Sequence, residues 1–292
     1  EINKKKLTRS LYKVGALRKK MNVVAGKKLK ETFGGNLRLF CIGGSALAGD
    51  VEMFLQEAKF PYSMGYGLTE TSPLVTGTDN FKVKLRSAGS ILDGMQIKID
   101  NPDAESGEGE VLIKGPNVMQ GYWNKPEATA GVIDADGWFH TGDIGVFDEG
   151  FLKITDRKKE MFKTSGGKYI APAVLESELK QSRFIEQVMI IGESEKMPAA
   201  LIQVNFDFAK EWAVRKKLPV DSIITHERFI NRIQKEIDFY NQRFGKWEQI
   251  KKFEITPDEW SIEEGLLTPT MKMKRKVIKE KYKNLYKRIY NK

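Results

Sequence analysis

The stretch LRLFCIGGSALAGD, Leu37 to Asp50, sets an apolar run in front of a glycine pair and an aspartate. The run Leu37 to Ile42 is typical of a buried strand, and the glycines after it are typical of a turn. Asp50 is a preferred N-cap residue type, and we predict that it caps a helix. Apolar residues then recur with helical spacing at Val51, Phe54, Leu55 and Ala58. This order of strand, glycine turn and helix predicts an α/β fold.

A second glycine turn follows in FPYSMGYGLTETSP, residues 60–73, where a short strand ends in GYGLTETSP. We expect both glycine turns to lie at one edge of the same sheet, where open α/β sheets bind ligands. Glycines let a planar ligand approach the backbone, Tyr66 offers a ring, and Glu70 offers a hard oxygen ligand for Mg²⁺. These features suit a nucleoside triphosphate, although such a loop alone is more often only a turn.

Beyond about Phe81, short alternating segments predict a small antiparallel β region, with QIKID, VLIKG and GFLKITD as its strands. In DGWFHTGDIG, Asp143 stands between glycines, and we predict that it lies at a turn. A carboxylate in that setting can accept hydrogen bonds from both hydroxyls of a ribose. Taken alone, Asp143 is more typical of an ordinary turn residue than of a ribose ligand. His140 is more typical of a packing or hydrogen-bonding residue than of a catalyst.

The charged segment DRKKE, residues 156–160, lacks apolar periodicity and indicates a domain boundary. Strands are predicted over Gln187 to Ile191 and Ala200 to Val204, followed by a helix with one apolar face formed by Phe229, Ile233, Ile237 and Tyr240. We therefore predict two domains, residues 1–158 and residues 159–292. The second is a compact α+β domain of ordinary size.

Composition is that of a globular protein, with 40% hydrophobic and 30% charged residues among 292. No apolar run approaches the roughly 20 residues that cross a bilayer, and the first residues do not resemble a signal peptide. Cys41 is the single cysteine and cannot form an intrachain disulfide. These observations predict a cytoplasmic location, with peripheral attachment to the inner face of a membrane as the alternative.

The net charge of +10 is unevenly distributed. Residues 1–30 carry eleven Lys and Arg against one acid, and residues 271–292 carry ten against one, so the middle of the chain is net acidic. This distribution argues against the continuous basic face of a nucleic-acid groove. Each basic end has an apolar helical stripe, which predicts a helix docked by that stripe with its lysines in water. The first stripe comprises Leu7, Leu11, Val14, Leu17, Met21 and Val24, and the second Ile278, Tyr282, Leu285 and Ile289.

The order of several motifs resembles the adenylate-forming acyl-CoA synthetases, a superfamily of AMP-binding enzymes. The motifs are GGSALAGD, GYGLTETSP, GEVLIKGPNVMQGYWNKPEAT, GWFHTGD, ITDRKKEMFKTSGGKYIAP and LLTPTMKMKR. They span most of the chain, and the last two look most like the long-chain fatty acid branch. The resemblance implies that a fatty acid reacts with ATP to give an acyl-adenylate and pyrophosphate, and that coenzyme A then displaces AMP. It implies the latter part of a large α/β adenylation domain, followed by a mobile C-terminal domain.

The resemblance also implies roles for single residues. Thr69 would contact the α-phosphate, Glu70 would bind Mg²⁺, and Asp143 would hold the ribose, assisted by Arg157. The adenine would be lined by Gly44, Ser45, Ala46, Gly65, Tyr66 and Gly67.

In the second domain, Lys272 matches the lysine that meets the α-phosphate and the substrate carboxylate, where a flexible cation can follow developing negative charge. Met271 precedes it, whereas the family usually has glycine there. Lys159 matches the hinge about which the small domain rotates. Coenzyme A would contact the turn formed by Gly166, Gly167 and Lys168.

The family's Ser/Thr/Gly-rich phosphate loop has no counterpart in residues 1–42, so we expect a C-terminal fragment that is not competent for adenylation alone. The first alternative is an adenylate-forming ligase for another carboxylic or amino acid. The second is a basic module without chemistry that binds nucleic acid or an anionic membrane.

Overall fold

The computed structural model describes residue 12, residues 14–78 and residues 83–291. Contacts divide the chain into two units, Glu1–Thr155 and Asp156–Lys292. Among the residues that the structure describes, none of the helices has both the length and the apolar character that crossing a bilayer requires.

In the described part of the first unit, a helix is followed by a mixed sheet with the strand order β1-β2-β3-β4. Strands β1 and β2 are parallel and are joined through α2, whereas β2 to β4 are antiparallel neighbours. This confirms the predicted α/β unit. The elements are α1 (Gly15–Thr32), β1 (Phe40–Ile42), α2 (Gly49–Glu57), β2 (Tyr62–Gly67), a 3₁₀ turn (Thr69–Thr71), β3 (Leu74–Gly77) and β4 (Ser90–Ile91).

Two local predictions in this region are wrong. Asp50 is not the N-cap, because α2 already begins at Gly49 and the Asp50 carboxylate accepts a hydrogen bond from the Val51 amide inside the first turn. Strand β1 is not buried, since Phe40 and Cys41 are exposed. Within the described residues β1 pairs on one side only, with β2, and is an edge strand.

Helix α1 packs by a different face from the one predicted. Val14, Leu17 and Val24 are exposed, Val24 to 58%, so the apolar stripe is not docked. The buried positions are Asn22 and Gly26. A Cβ on Gly26 would lie 2.4 Å from the Ala58 carbonyl oxygen, so only glycine permits this approach to the end of α2. The predicted stripe positions Leu7 and Leu11 lie outside the described residues.

The remainder of the first unit is a four-stranded sheet in the order β5-β6-β7-β8, which confirms the predicted antiparallel region. Its core includes Val111, Ile113 and Leu152, packed with Val75 of β3. The elements are β5 (Gln96–Asp100), β6 (Gly109–Lys114), α3 (Pro126–Ala130), β7 (Phe139–Asp148) and β8 (Phe151–Arg157).

The second unit is built on the sheet β11-β12-β13, with a short β9-β10 hairpin before it. All residues of β12 are buried, and they alternate between two cores. Ala200, Ile202 and Val204 join the helices before β13, whereas Ala199 and Leu201 join the C-terminal helices. The elements are β9 (Phe162–Lys163), β10 (Tyr169–Ile170), α4 (Pro172–Leu179), β11 (Ile185–Ile191), β12 (Ala199–Val204), α5 (Phe206–Lys216), a 3₁₀ turn (Ile223–Thr225), α6 (Glu227–Asn241), β13 (Lys252–Ile255), α7 (Arg275–Lys281) and α8 (Lys283–Tyr290).

Helical periodicity in this unit predicted burial correctly. The four apolar positions of α6, Phe229, Ile233, Ile237 and Tyr240, are all buried. In the C-terminal helices Ile278, Tyr282 and Ile289 are buried and Leu285 packs against them, so the second basic stripe is docked as predicted.

Candidate functional site

The two glycine turns lie side by side at the carboxyl ends of β1 and β2, as predicted. The strands are parallel with Ile42 opposite Met64, and a Cβ on Gly43 would lie 3.5 Å from the Gly65 carbonyl oxygen. Gly44 has φ +86°, a conformation that favours glycine. The turn exposes the backbone that was expected to line the adenine, at Gly44, Ser45 and Ala46.

The GYGLTETSP loop is fixed by its own backbone and by one buried hydroxyl. A Cβ on Gly67 would lie 1.6 Å from the Pro73 carbonyl oxygen, so the chain doubles back at a distance that only glycine allows. The Thr71 hydroxyl accepts from the Leu68 amide at 2.9 Å and donates to the Pro73 carbonyl at 2.6 Å. Thr71 is fully buried, so the 3₁₀ turn carrying Thr69 and Glu70 is held from beneath.

On this turn Thr69 is exposed and Glu70 is half-buried. The Tyr122 hydroxyl donates to Glu70 Oε1 at 2.9 Å, and the Met119 amide donates to the Glu70 carbonyl at 2.8 Å. Burial, with the Glu70 carboxylate beside it, raises the pKa of Tyr122 and keeps its hydroxyl protonated as a donor. Both the backbone and the side chain of Glu70 are therefore oriented by the segment that precedes α3.

Asp143 lies in strand β7 and not at a turn, which corrects the prediction. The β6–β7 pairing shifts between Glu110 and Leu112, so the flanking glycines mark a bulge inside a continuing strand. Gly142 has φ +70°, and its amide donates to Glu110 Oε1 at 3.0 Å. The bulge redirects the Asp143 side chain, which is 4% exposed.

Tyr66 and Asp143 meet although 77 positions separate them. The Tyr66 hydroxyl donates to Asp143 Oδ2 at 2.7 Å. The Tyr66 ring is half-buried and packs against the core of the β5–β8 sheet. The first unit thus joins the glycine loop of one sheet to the bulge of the other through this hydrogen bond.

Glu70 is the residue that the sequence predicts to bind Mg²⁺. The described residues contain no group of three or more His, Cys, Asp or Glu arranged to hold a metal ion. Mg²⁺ in nucleotide enzymes typically keeps several waters and is bound by one or two carboxylates together with the substrate phosphates. A single oriented carboxylate on an exposed turn fits that mode of binding.

In the second unit, Lys272 is exposed on a tight hairpin. The Thr268 amide donates to the Lys272 carbonyl at 2.8 Å, and the Lys272 amide donates to the Thr268 hydroxyl at 3.0 Å. Met271 before it has φ +61°, the left-handed conformation that a glycine at this position would adopt without strain. The hairpin stem begins at Leu266 and Leu267, which are fully buried.

Lys159 is exposed in a turn that directly follows β8. The Arg157 carbonyl closes this turn by accepting from the Glu160 amide at 2.9 Å and the Met161 amide at 3.0 Å. The Arg157 side chain is exposed, and its amide donates to Asp156 Oδ1 at 2.6 Å.

Gly166, Gly167 and Lys168 form the exposed connection of the β9–β10 hairpin. Gly167 has φ +75°, and its amide donates to the Thr164 carbonyl at 2.9 Å. The Lys168 ammonium lies 5.6 Å from the centre of the Trp247 ring, a cation–π contact. The turn presents exposed glycine backbone beside one oriented cation.

Sequence reasoning missed two side chains that organise these segments. Tyr122 belongs to the motif GYWNKPEAT and orients Glu70, and Arg275 ends the motif LLTPTMKMKR and pairs with Glu160 and Glu176. Each of them lies inside a motif, and this was the signal in the sequence that pointed to a role. Their partners, 52 to 115 positions away, could not be inferred from local pattern.

Both units of the chain are similar to known proteins. The AMP-binding enzyme family model matches residues 8–123, and the AMP-binding enzyme C-terminal domain model matches residues 160–292. The long-chain-fatty-acid–CoA ligase FadD15 of Mycobacterium bovis is 36% identical over 271 residues. That alignment covers 91% of this chain and 44% of the ligase, so the chain spans less than half of this relative.

Solved structures share the fold. The adenylation domain of a carboxylate reductase from Mycobacterium chelonae aligns with a TM-score of 0.74 at 23% identity, over 94% of this chain and 41% of that domain. O-succinylbenzoate coenzyme A synthetase from Bacillus subtilis, solved with ATP and a magnesium ion, aligns with a TM-score of 0.60 at 25% identity, over 79% of this chain and 46% of that enzyme. These likenesses confirm the predicted fold class of an adenylation domain followed by an α+β domain.

Proposed function

The chain belongs to the AMP-binding enzyme family, and on that premise we propose that the full-length protein is a long-chain fatty acid–CoA ligase. One observation carries the proposal. The two glycine turns lie side by side, and Tyr66 of the second turn is hydrogen-bonded to Asp143 within the same unit. The substrate class is supported by the similarity to long-chain-fatty-acid–CoA ligases.

The proposed reaction has two steps. A carboxylate oxygen of the fatty acid attacks the α-phosphorus of ATP, the bond to pyrophosphate breaks, and an acyl-adenylate forms. The sulfur of coenzyme A then attacks the acyl carbonyl carbon, its proton is lost to solvent, and AMP leaves with the electrons of the broken bond. In both steps negative charge develops on oxygen atoms of the reacting phosphate or carbonyl group, so stabilising that charge is the protein's main task.

The first unit would bind the nucleotide. Asp143 would accept hydrogen bonds from the ribose hydroxyls while Tyr66 holds its carboxylate and stacks against the base. Arg157, which lies at the start of the second unit, would assist at the ribose. Thr69 would donate to the α-phosphate from its exposed position. The backbone around the base would come from Gly44, Ser45, Ala46, Gly65 and Gly67.

Glu70 would hold Mg²⁺ with the ATP phosphates, and the ion would supply positive charge that neutralises those oxygens. In this chain, Tyr122 contributes by fixing the rotamer of the Glu70 carboxylate. The Met119 hydrogen bond contributes by fixing the backbone of the turn.

The second unit would supply the mobile cation and the thiol site. Lys272, exposed at its hairpin, would meet the α-phosphate and the fatty acid carboxylate during adenylation. Lys159 would be the hinge whose dihedral angles change between the two steps. Gly166, Gly167 and Lys168 would contact the pantetheine arm of coenzyme A.

The test is a product analysis with the full-length protein, palmitate, ATP, Mg²⁺ and coenzyme A. We expect palmitoyl-CoA, AMP and pyrophosphate in equal amounts. Lys272→Ala should abolish adenylation yet still convert added palmitoyl-adenylate and coenzyme A to product. Lys276→Ala is the matched control, since Lys276 is an exposed lysine four positions along the chain. Release of ADP and phosphate, or an undiminished adenylation rate in Lys272→Ala, would overturn the proposal.

A further inference from the structure

We propose that Arg275 is a positioning residue that joins the Lys272 hairpin to the Lys159 turn as one rigid piece. The inference rests on the proposed function for the roles of those two lysines. The linkage itself is carried by contacts within the second unit.

The Arg275 guanidinium bridges two carboxylates from separate segments. Its Nη2 lies 2.6 Å from Glu176 Oε2, and its Nε lies 3.2 Å from Glu160 Oε2. Its Nη1 donates to the Ile190 carbonyl at 3.5 Å. One side chain therefore contacts α4, the end of β11 and the turn that follows β8.

The Glu176 end of this bridge is firmly held. The Glu176 side chain is only 7% exposed, and its Oε1 accepts from the Ile190 amide at 2.7 Å. Both carboxylate oxygens are thus occupied, and the fork of Arg275 has a fixed partner in the core. An arginine suits this place, because its planar guanidinium can bond two carboxylates at once whereas an ammonium acts as a point charge.

The Glu160 end reaches the proposed hinge. Glu160 directly follows Lys159, and its amide closes the turn on the Arg157 carbonyl at 2.9 Å. Any change of the dihedral angles at Lys159 occurs next to Glu160, which Arg275 links to Glu176 in the core of the second unit. The rigid piece therefore begins directly after Lys159.

The same arginine begins the helix that follows the Lys272 hairpin. Helix α7 starts at Arg275, three positions after Lys272, and Ile278 in its first turn is fully buried. On the other side, the Lys274 amide donates to the carbonyl of buried Leu266 at 2.8 Å. The hairpin is thus clamped at its base by the Leu266 stem and by Arg275, while its tip carries Lys272.

The experiment compares Glu160→Gln, Arg275→Lys and Arg275→Ala in the full-length protein by hydrogen–deuterium exchange and by pyrophosphate exchange. Arg243→Ala is the matched control, because Arg243 also pairs with a largely buried glutamate, Glu178, but that pair involves neither lysine segment. We expect faster amide exchange across residues 266–274 in the three test variants and unchanged exchange there in Arg243→Ala.

For catalysis, we expect kcat of adenylation to fall by up to about 10²-fold in Arg275→Ala, since displacement of a reacting group by about 1 Å has such an effect. Glu160→Gln should lower kcat less. The KM for ATP should change much less than kcat, because the contacts proposed for Asp143, Tyr66 and the glycine turns belong to the first unit; a general loss of structure would alter KM as well.

The two proposals fail in different ways. A wild-type protein with no pyrophosphate exchange would sink the proposed function, while amide exchange would still decide the linkage. The linkage is wrong if residues 266–274 exchange at the wild-type rate in Glu160→Gln and Arg275→Ala. Provided that wild type is active, two results would contradict the positioning role. One is a wild-type kcat in Arg275→Ala, and the other is a fall in kcat in Arg243→Ala as large as in Arg275→Ala.

Discussion

The Tyr66 hydroxyl donates a hydrogen bond to Asp143 Oδ2 at 2.7 Å, from the end of β2 to the bulge of β7. Asp143 is nearly buried, so its carboxylate keeps one orientation. A glycine loop and a ribose-binding carboxylate are thereby linked before any ligand binds.

Asp143→Asn should raise the KM for ATP by about 10- to 100-fold, because a hydrogen bond to a charged acceptor contributes about 1.5–3 kcal/mol. Tyr66→Phe should have a smaller effect, since it removes only the orienting bond. Steady-state kinetics of pyrophosphate exchange measure both. Asp148→Asn is the control, because Asp148 ends the same strand but is exposed and pairs with Lys84. Equal KM values in Asp143→Asn and Asp148→Asn would contradict the ribose assignment.

Glu70→Gln should increase the Mg²⁺ concentration needed for half-maximal pyrophosphate exchange, since the neutral amide is a weaker ligand for a hard cation. Tyr122→Phe removes one hydrogen bond to that carboxylate and should raise the requirement by about fivefold, equivalent to about 1 kcal/mol. A magnesium titration at saturating ATP makes the measurement. Glu127→Gln, an exposed acid in α3, should behave as wild type. A wild-type magnesium requirement in Glu70→Gln would rule out the metal role.

Gly67→Ala should destabilise the first unit by about 3 kcal/mol, the upper end of the usual cost of overpacking, because a Cβ 1.6 Å from the Pro73 carbonyl oxygen forces the backbone apart. Calorimetry of the full-length protein measures the effect as a lowered unfolding temperature. Gly43→Ala is the matched control, since a Cβ there meets the Gly65 carbonyl oxygen at an ordinary 3.5 Å. If both variants unfold at the same temperature, the close approach at Gly67 is not a constraint.

Asp156→Asn should change how stability depends on pH. Asp156 is 3% exposed, its Oδ2 has no hydrogen-bond partner among the described residues, and burial raises its pKa from 3.8 to about 6. A raised folded-state pKa means that the folded protein holds the proton more tightly. Its stabilising contribution is therefore complete below about pH 4 and is lost as the pH rises toward 6. The loss amounts to at most about 3 kcal/mol.

The stability of the second unit can be measured by hydrogen exchange between about pH 4 and pH 8. The amides of β12 suit this measurement, because all residues of that strand are buried and core strands open only with large free energies. Over this range Asp156→Asn should lose less stability than wild type, by the contribution of Asp156, whereas Asp221→Asn, at an exposed position, should show the full wild-type loss. Burial also raises the pKa of Glu176 to about 7, but Glu176 is present in all three proteins and does not affect the comparison. Parallel curves for wild type and Asp156→Asn would contradict the prediction.

Sequence periodicity predicted the helices and strands that pack by one face. The apolar face of α6 follows from spacing alone, because the helix buries a residue at every third or fourth position. Strand β5 follows from alternation, since Ile97 and Ile99 are half-buried whereas Gln96 and Lys98 are exposed. The fold class followed from the order of such elements and is confirmed.

Tertiary contacts decided what the pattern could not. Helix α1 docks by Asn22 and Gly26 because Gly26 admits the Ala58 carbonyl, and no apolar stripe predicts such a contact. The glycines around Asp143 indicated a turn, but pairing with β6 carries the strand through them as a bulge. The site residues themselves remain predictions, and the contacts that orient them, from Tyr122 and Arg275, span too much sequence for local reasoning to find.

The central claim is adenylation of a long-chain fatty acid, and its most direct test is pyrophosphate exchange into ATP by the full-length protein. Carboxylic acids graded from acetate to palmitate, together with aromatic and amino acids, would be the substrates. We predict exchange that depends on added acid and increases with chain length. Fastest exchange with a short, aromatic or amino acid would overturn the substrate, and no exchange with any acid would contradict adenylation itself.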